Sequence, residues 1–185
     1  MKAIEAIERK EFSVERLLTQ VAAWRVTGKT IAFTNGCFDI LHEGHIASLS
    51  AAAKEADYLI VGLNSDSSVK QLKGDARPIN NEQSRAIILR NLAVVDAVVI
   101  FNEQTPLELI IALLPDVLVK GGDYTTDQIV GAKEVMAAGG RVVINPIVEG
   151  FSTTGTIQQI KTHFFINNYL PIKPFISPSC ADSLR

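Results

Sequence analysis

Short apolar runs rich in Val and Ile alternate along the chain with stretches whose apolar residues recur every three or four positions. The runs predict β-strands, and the three-and-four spacing predicts helices with one buried face. Few polar residues interrupt the runs, which is typical of strands covered on both faces. Five strands are expected, at Thr30–Thr34, Tyr58–Gly62, Ala97–Phe101, Val117–Val119 and Arg141–Ile144. This alternation predicts an α/β fold with a parallel five-stranded sheet and helices on both faces.

Several helix ends can be predicted from local sequence. Ser13 is expected to cap a helix that ends at Gly28. The segment Thr105–Glu108 has the pattern of a capping box, with proline at the first helical position. Asn80 and Gln83 predict a similar start for the helix that follows them.

The patterning divides the chain into three parts. Residues 1–29 are expected to form an N-terminal helical extension, and residues 30–163 the domain that holds the sheet. From residue 164 to residue 185 the periodicity is lost and prolines recur, so an extended tail is predicted.

The segment Thr34–His45, with the sequence TNGCFDILHEGH, joins the first predicted strand to a helix. A strand that turns directly into a helix leaves backbone N–H groups pointing above the turn, and the helix dipole adds positive charge there. His42 and His45 are three residues apart at the helix start, and Gly44 between them lets a ligand approach the backbone. The segment therefore predicts a phosphate cradle with two imidazoles directed into it.

Two other interpretations of this segment remain open. Its histidines can be ordinary surface or core residues, although a complete strand–turn–helix pattern favours function. A zinc site would combine Cys37 with the two histidines. It needs at least one more suitable ligand, and His163 is distant in the chain.

Polar residues also follow the second predicted strand. Asn64 and Asp66 can hydrogen-bond a sugar, or they can be turn residues. The basic segment after them predicts phosphate binding, with a solvated charged face as the alternative. Its cations are Lys70, Lys73, Arg77, Arg85 and Arg90, of which Arg90 has the pattern of ordinary helix surface.

Two later segments complete the candidate site. Gly121 and Gly122 follow the fourth strand and would let a flat base approach the backbone, while Asp123 or Tyr124 could recognise that base. A plain turn is the alternative. Near the end, Ser152, Thr153 and Thr154 precede an amphipathic helix, where they can cap the helix or bind a triphosphate.

Composition narrows the choice of partners. The 185 residues carry a net charge of −2 and a pI of about 5.9, which argues against nucleic acid as a partner. Two cysteines, one of them in the candidate site, indicate a reducing compartment. No apolar run approaches the ~20 residues of a membrane span, and the N-terminus lacks the apolar core of a signal peptide. A cytoplasmic protein without a membrane partner is expected.

The H-x-G-H pattern after a strand and a G-x-F-D turn resembles the signature of the cytidylyltransferase-like nucleotidyltransferases. The resemblance covers roughly Ile31 to Lys161 and is strongest to the heptose-phosphate adenylyltransferases. The strings that carry it include FTNGCFDILHEGH, GLNSDSSVKQLKG, PDVLVKGGDY and EGFSTT. It implies a Rossmann-like sheet and a homodimer or larger homo-oligomer. Those enzymes are often fused to a sugar kinase, which nothing in this sequence resembles, so a stand-alone form is expected.

The resemblance also implies a reaction. ATP and D-glycero-β-D-manno-heptose 1-phosphate would give ADP-heptose and pyrophosphate, for the inner core of lipopolysaccharide. Cytidylyl or adenylyl transfer to another phosphate, such as glycerol 3-phosphate, stays open. A nucleotide-binding regulatory module without turnover stays open as well.

Residue roles follow from the same resemblance. Catalytic roles are expected for His42, His45, Lys73 and Arg85. Substrate binding is expected of Asp39, Asn64, Asp66 and Arg77. Nucleotide binding is expected of Asn35, Gly36, Cys37, Phe38, Gly44, Lys120, Gly121, Asp123, Tyr124, Ser152, Thr153 and Thr154.

The chemistry limits what these residues need to do. A phosphate monoester has a second pKa of about 6, so the acceptor is mostly a dianion at pH 7 and needs no general base. The histidines are therefore expected to donate hydrogen bonds to phosphate oxygens, with Lys73, Arg77 and Arg85 neutralising charge. Mg²⁺ is expected to bind mainly through the triphosphate and not through a protein metal site.

Overall fold

The computed structural model describes residues 3–146 and 150–169. The order of elements in the first half is α1 (Ala3–Glu8), β1 (Glu11–Phe12), α2 (Val14–Val26), β2 (Ile31–Gly36), α3 (Glu43–Ala53), β3 (Tyr58–Asn64), α4 (Asp66–Lys73) and α5 (Glu82–Arg90). The second half continues with β4 (Ala97–Phe101), α6 (Leu107–Leu113), β5 (Val117–Gly121), a 3₁₀ turn (Thr126–Gln128), α7 (Ala132–Ala137), β6 (Arg141–Asn145) and α8 (Thr153–Tyr169).

The strands form one parallel sheet in the order β1-β4-β3-β2-β5-β6. The predicted Rossmann-like α/β fold is confirmed, and all five predicted strands are present. The predicted strand count is one too low, because β1 pairs with β4 at the edge of the sheet. With two residues, β1 is too short to produce an apolar run in the sequence.

Apolar side chains fill both faces of the sheet, as expected for a buried parallel sheet. On one face Ile31 and Phe33 of β2 pack in a cluster with Leu17 and Val21 of α2. On the other face Ala32 packs in a cluster that includes residues of α3 and α5. The first compact unit runs from Met1 to Thr153, so the predicted boundary at residue 29 does not separate compact units.

The second compact unit comprises residues 154–185. Residues 164–169, predicted to begin an extended tail, instead continue helix α8. The remainder of the predicted tail, 170–185, lies outside the described residues. No helix among the residues described has both the length and the apolar character to cross a membrane.

Helix caps differ from the predictions by small shifts. Ser13 accepts a hydrogen bond from the backbone N of Arg16 at 3.3 Å, as predicted. Helix α5 is capped by Asn81, which accepts from the backbone N of Ser84, so the cap lies one residue later than predicted. The predicted capping box before α6 is wrong, because Pro106 itself occupies the N-cap position and makes no side-chain cap bond.

The strand order places the candidate site. Strands β3 and β4 are added on one side of β2, whereas β5 and β6 are added on the other side. A crevice therefore opens at the carboxyl end of β2, between β3 and β5. Ligands of open parallel sheets bind in such crevices, where the strand order reverses.

Candidate active site

Two cavities lie at this edge of the sheet. The small cavity has a volume of about 240 Å³, and the large cavity about 520 Å³. Six residues line both, namely Asn35, Gly36, Cys37, Lys73, Lys120 and Tyr124. We call these six residues the junction. The small cavity is also lined by Thr34, Phe38, Asp39, His45, Ser48, Arg77, Gly121 and Thr153.

The turn after β2 is shaped by Gly36 and Phe38. Phe38 has a φ of 44°, a left-handed conformation that is uncommon for a bulky residue. A Cβ on Gly36 would lie 3.1 Å from the Phe38 ring, so glycine allows the ring to fold back over the turn. The ring then meets His45 edge-on, with centroids 5.5 Å apart. This predicted nucleotide-binding turn thus also positions the His45 imidazole.

The two histidines occupy different positions at the start of α3. His45 lines the small cavity, whereas His42 stacks on His45 with ring centroids 3.8 Å apart and does not line either of the two cavities. The other neighbour of the His42 ring is Phe151, at 6.1 Å. A Cβ on Gly44 would lie 3.1 Å from the Cβ of Phe151, so the glycine makes room for protein packing.

Both imidazoles are expected to be neutral at pH 7. Burial lowers the pKa of His45 to about 4, assisted by the positive charges of His42 and Lys73. Burial also lowers the pKa of His42. The backbone N–H of His42 donates to Nδ1 of His45 at 3.4 Å. The neutral His45 ring therefore carries its proton on Nε2, where it can be donated to a ligand oxygen.

The junction carries positive charge that no acid compensates. Within the described part of the chain Lys120 donates only to the neutral Oδ1 of Asn35, at 3.3 Å, and burial lowers the pKa of its ammonium group. Lys73 makes no hydrogen bond or ion pair with any described residue. Partial burial of the Lys120 ammonium group without a carboxylate partner is costly, which favours an anionic ligand at this position.

Arg77 adds a third cation to the small cavity. Its Nε donates to Oδ2 of Asp39 at 2.6 Å. Its Nη2 is buried and has no hydrogen-bond partner among the described residues. Arg77 therefore keeps one guanidinium nitrogen that is not engaged by the described residues.

Asp39 was predicted to bind substrate, but its carboxylate is occupied. Besides Arg77, it accepts hydrogen bonds from the backbone N atoms of Ile79 and Asn80 at 2.8 to 2.9 Å. Burial raises the pKa of this carboxyl, but the bonds from Asn80, Ile79 and Arg77 outweigh burial and hold the pKa below its ordinary value. Asp39 therefore positions Arg77 and the loop that follows it.

Arg85, which was predicted to neutralise a substrate phosphate, makes its contacts within the protein. Its side chain is completely buried and lines neither cavity. Nη1 donates to the carbonyl oxygens of Cys37 at 2.6 Å and Asn64 at 2.8 Å, and Nε donates to the carbonyl of Asn80 at 3.0 Å. Nη2 donates to Asp66 at 2.7 Å. Arg85 thus clamps the ends of β2 and β3 together.

The polar residues after β3 are also engaged within the protein. Asp66, predicted to bind substrate, pairs with Arg85 and lines neither of the two cavities. Asn64 lines the large cavity, but its Nδ2 donates to Oγ of Ser68 at 2.9 Å. Arg90 pairs with Glu11 at 2.9 Å, away from both cavities, as expected of a helix-surface residue.

The segment after β5 contributes unequally. Tyr124 belongs to the junction and Gly121 to the small cavity, whereas Asp123 is exposed and lines neither cavity. A Cβ on Gly122 would lie 2.6 Å from the Tyr124 ring, and this glycine has a φ of 133°. Gly122 therefore allows the tyrosine ring to lie against the backbone.

The predicted hydroxyl cluster is partly at the site. Thr153 lines the small cavity and donates to the carbonyl of Ile40 at 3.3 Å. Ser152 does not line either cavity. Thr154 begins the second compact unit.

Several lining residues were missed by sequence reasoning. Ser48 is three positions after His45 on α3, so helical spacing could have identified it. Gln104 and Thr105 follow β4 at the same edge of the sheet, which is a positional signal. Gln128 ends the 3₁₀ turn and Ile129 follows it, and nothing in their local sequence identifies them.

The described lining of the two cavities offers few side chains that could coordinate a metal ion. Of the described residues that line the two cavities, only Asp39 carries a carboxylate, and its oxygens already accept hydrogen bonds from Arg77, Ile79 and Asn80. Among the described residues no group of three His, Cys, Asp or Glu could hold a metal ion.

Comparison with known proteins places this site in context. Residues 33–168 match the family described as Cytidylyltransferase-like. The chain is 59% identical over 141 residues to "Bifunctional protein HldE" of Mesorhizobium japonicum, which covers 76% of this chain and 28% of the relative. It is 57% identical over 149 residues to the protein of the same name from Hyphomonas neptunium, covering 80% and 31%. The chain thus spans about a third of the length of these curated relatives.

A solved structure is similar as well. It is titled "Crystal structure of the lipopolysaccharide core biosynthesis protein from Thermoplasma volcanium GSS1". The similarity has a TM-score of 0.53 with 30% sequence identity, and it covers 65% of this chain and 98% of that one.

Proposed function

Because this chain belongs to the cytidylyltransferase-like family, and is accordingly a nucleotidyltransferase, we propose that it transfers an adenylyl group from ATP to D-glycero-β-D-manno-heptose 1-phosphate. The products would be ADP-heptose and pyrophosphate. The names of the similar proteins support this choice, since one is titled a lipopolysaccharide core biosynthesis protein. The sequence resemblance to heptose-phosphate adenylyltransferases supports the same acceptor.

The small cavity and the junction supply what such a transfer needs. An oxygen of the acceptor phosphate would attack the α-phosphorus of ATP, and the bond from that phosphorus to the bridging oxygen would break. Negative charge then gathers on the α-phosphate oxygens and on the leaving pyrophosphate. His45, through Nε2–H, and the cations Lys73, Arg77 and Lys120 are the groups that stabilise this charge.

No general base is required by this mechanism, because the acceptor phosphate is already largely a dianion at pH 7. The neutral state of His45 agrees with a hydrogen-bond donor. His42 would act by holding the His45 ring, since the two rings stack. Mg²⁺ would add neutralisation of the triphosphate and would be held by phosphate oxygens and water.

One observation carries the proposal. The small cavity is lined by Arg77, Lys73, Lys120 and His45, while Asp39, the single carboxylate in the part of its lining that the structure describes, is paired with Arg77. Two lysine charges at the junction therefore remain uncompensated. Such a site stabilises a polyphosphate and has no role in a fold that only packs helices on a sheet.

A pyrophosphate-release assay tests the proposal. ATP, CTP, GTP and UTP would each be supplied with Mg²⁺ and with heptose 1-phosphate, glycerol 3-phosphate or glucose 1-phosphate. We expect release to be fastest with ATP and heptose 1-phosphate. Fastest release with CTP or with another acceptor would assign a different substrate pair, and no release with any pair would indicate a regulatory nucleotide-binding module.

The same assay separates catalysis from folding. His45→Ala should lower kcat by about 10²- to 10³-fold, as for loss of one charge-stabilising donor. His163→Ala changes an exposed histidine in the second compact unit and should leave kcat unchanged.

The proposal also covers the cellular location and the oligomeric state of the enzyme. We place it in the cytoplasm, where ATP is available, and we propose a homodimer or larger homo-oligomer. Light scattering of the purified protein would give its mass in solution directly.

A further inference from the structure

The large cavity differs in character from the small one. Nine residues line it without lining the small cavity, and none of them is charged. Leu72, Pro106 and Ile129 give it apolar surface, while Gln104, Thr105 and Gln128 give it carboxamide and hydroxyl groups. Its volume of about 520 Å³ lies in the usual range for ligand pockets.

The polar groups of the large cavity are available to a ligand. The side chain of Gln104 makes no hydrogen bond with any residue that the structure describes. Oε1 of Gln128 accepts from the backbone N of Thr125 at 2.9 Å, which fixes the carboxamide and leaves its NH₂ group as donor. Neutral donors and acceptors beside apolar surface suit an uncharged molecule with many hydroxyl groups.

The positions of the positive charges indicate how such a molecule would be oriented. Lys73 and Lys120 stand at the junction, and the third cation, Arg77, lines the small cavity but not the large one. A phosphate ester would therefore place its phosphate at the junction, next to the triphosphate in the small cavity, and its neutral part in the large cavity. This is the arrangement that direct attack of one phosphate on another requires.

A nucleobase fits the large cavity less well. Among the described residues that line it, Tyr124 at the junction is the only aromatic one, so beyond the junction this lining offers no aromatic surface on which a base could stack. We infer that the large cavity binds the polyhydroxylated carbon chain of the acceptor, and that Gln104, Thr105 and Gln128 select it by hydrogen bonds to its hydroxyl groups. This inference rests on the proposed function, which requires a sugar phosphate as acceptor.

Steady-state kinetics of Gln104→Leu test the inference. This substitution keeps the size of the side chain and removes its hydrogen bonds. We expect KM for heptose 1-phosphate to rise about 3- to 10-fold, as for one lost hydrogen bond between neutral groups, with KM for ATP within twofold of wild type. Gln83→Leu on the exposed surface of α5 is the matched control and should change neither constant.

Gln128 needs a substitution that preserves its turn. In Gln128→Glu the carboxylate can still accept from the backbone of Thr125, but the NH₂ donor is lost. We expect KM for the acceptor to rise about 3-fold or more while the melting temperature stays near that of wild type. Methyl phosphate has no hydroxyl on its carbon, so Gln104→Leu should not change the binding of methyl phosphate.

The outcomes separate this inference from the proposed function. If the wild type releases pyrophosphate but Gln104→Leu and Gln128→Glu leave KM for the acceptor unchanged, the inference is wrong and the function stands. A rise in KM for ATP instead would assign the cavity to the nucleotide. If the wild type shows no turnover, calorimetric binding of heptose 1-phosphate still tests the cavity, and unchanged affinity in Gln104→Leu would refute the inference.

Discussion

Nε of Arg77 lies 2.6 Å from Oδ2 of Asp39, and this pair joins the loop after α4 to the turn after β2. It belongs to a closed ring of interactions. Nδ2 of Asn80 donates to the carbonyl of Asp39 at 2.7 Å, and Arg85 donates both to the carbonyl of Asn80 and to that of Cys37. The ring holds a cationic loop against the nucleotide turn, so the geometry of the site depends on residues that do not contact substrate.

Asp39→Asn is expected to disturb this ring without removing a cation. The new NH₂ group would face the backbone N–H groups of Ile79 and Asn80, which need acceptors. We expect the free energy of unfolding to fall by about 1–3 kcal/mol because buried donors lose their partner. We also expect kcat/KM to fall on the order of 10- to 100-fold, because Arg77 is displaced. Urea denaturation and pyrophosphate release measure the two effects.

The control for this prediction is Asp75→Asn, which changes an exposed aspartate in the same loop region. It should leave stability and activity close to wild type. If Asp39→Asn kept full activity, the ring would have no influence on the site.

Arg85→Lys is expected to lower stability strongly. A lysine cannot reach the carbonyls of Cys37, Asn64 and Asn80 and the Asp66 carboxylate at once, since it has a single nitrogen. Carbonyl groups and a partly buried carboxylate would be left without partners. We expect a loss of roughly 3 kcal/mol or more in the free energy of unfolding, as for breaking a buried charge pair. Guanidinium denaturation would measure it.

Arg90→Lys on the same helix provides the comparison. Arg90 pairs with Glu11 while a fifth of its side chain is exposed, so lysine can keep the charge pair. Its stability should change by less than about 1 kcal/mol. If Arg85→Lys were as stable as Arg90→Lys and lost only affinity for a phosphate substrate, the clamp would not be the main role of Arg85.

The sheet could be predicted because its determinants are local. Apolar runs such as Ala97–Phe101 mark buried strands whatever surrounds them, and the observed strand has the predicted bounds. Strand β1 could not be predicted, since its two residues join the sheet only through pairing with β4. The helical spacing of Leu17 and Val21 predicted α2, but not that α2 packs on the same sheet face as Phe33.

The position of the site could be predicted from the sequence. The roles of its residues could be predicted only in part. His45 and Lys73 reach the small cavity as expected, because the motif fixes the turn that carries one of them and helix α4 carries the other. Arg85 belongs to the same basic segment, and its sequence context is indistinguishable from that of a phosphate ligand. Only the structure shows that its donors are taken by backbone carbonyls from three separate segments.

His45 is expected to make stability depend on pH. Its pKa is about 4 in the folded protein against 6.5 for an ordinary histidine, so the unfolded chain binds a proton first as pH falls. Between pH 6.5 and 4 the unfolded state holds more protons, and the free energy of unfolding therefore decreases. His45→Gln should lose less stability than wild type between pH 7 and pH 5, as measured by urea denaturation at each pH.

The exposed His163 supplies the control for this pH dependence. His163→Gln should follow the wild-type pH dependence. If His45→Gln also followed it, the His45 imidazole would not be depressed in pKa, and its assignment as a neutral donor at pH 7 would fail.

Lys120 is expected to lower the stability of the fold and to increase activity. Its side chain is partly buried, and among the described residues it has no carboxylate partner and donates only to Asn35. Lys120→Met keeps the length of the side chain and removes this uncompensated charge. We expect the free energy of unfolding to rise by about 0.5–2 kcal/mol, while kcat/KM for pyrophosphate release falls on the order of 10²-fold. Lys133→Met, at an exposed position of helix α7, should change neither. Loss of stability in Lys120→Met would mean that this lysine stabilises the fold. The junction would then not be a preformed anion site.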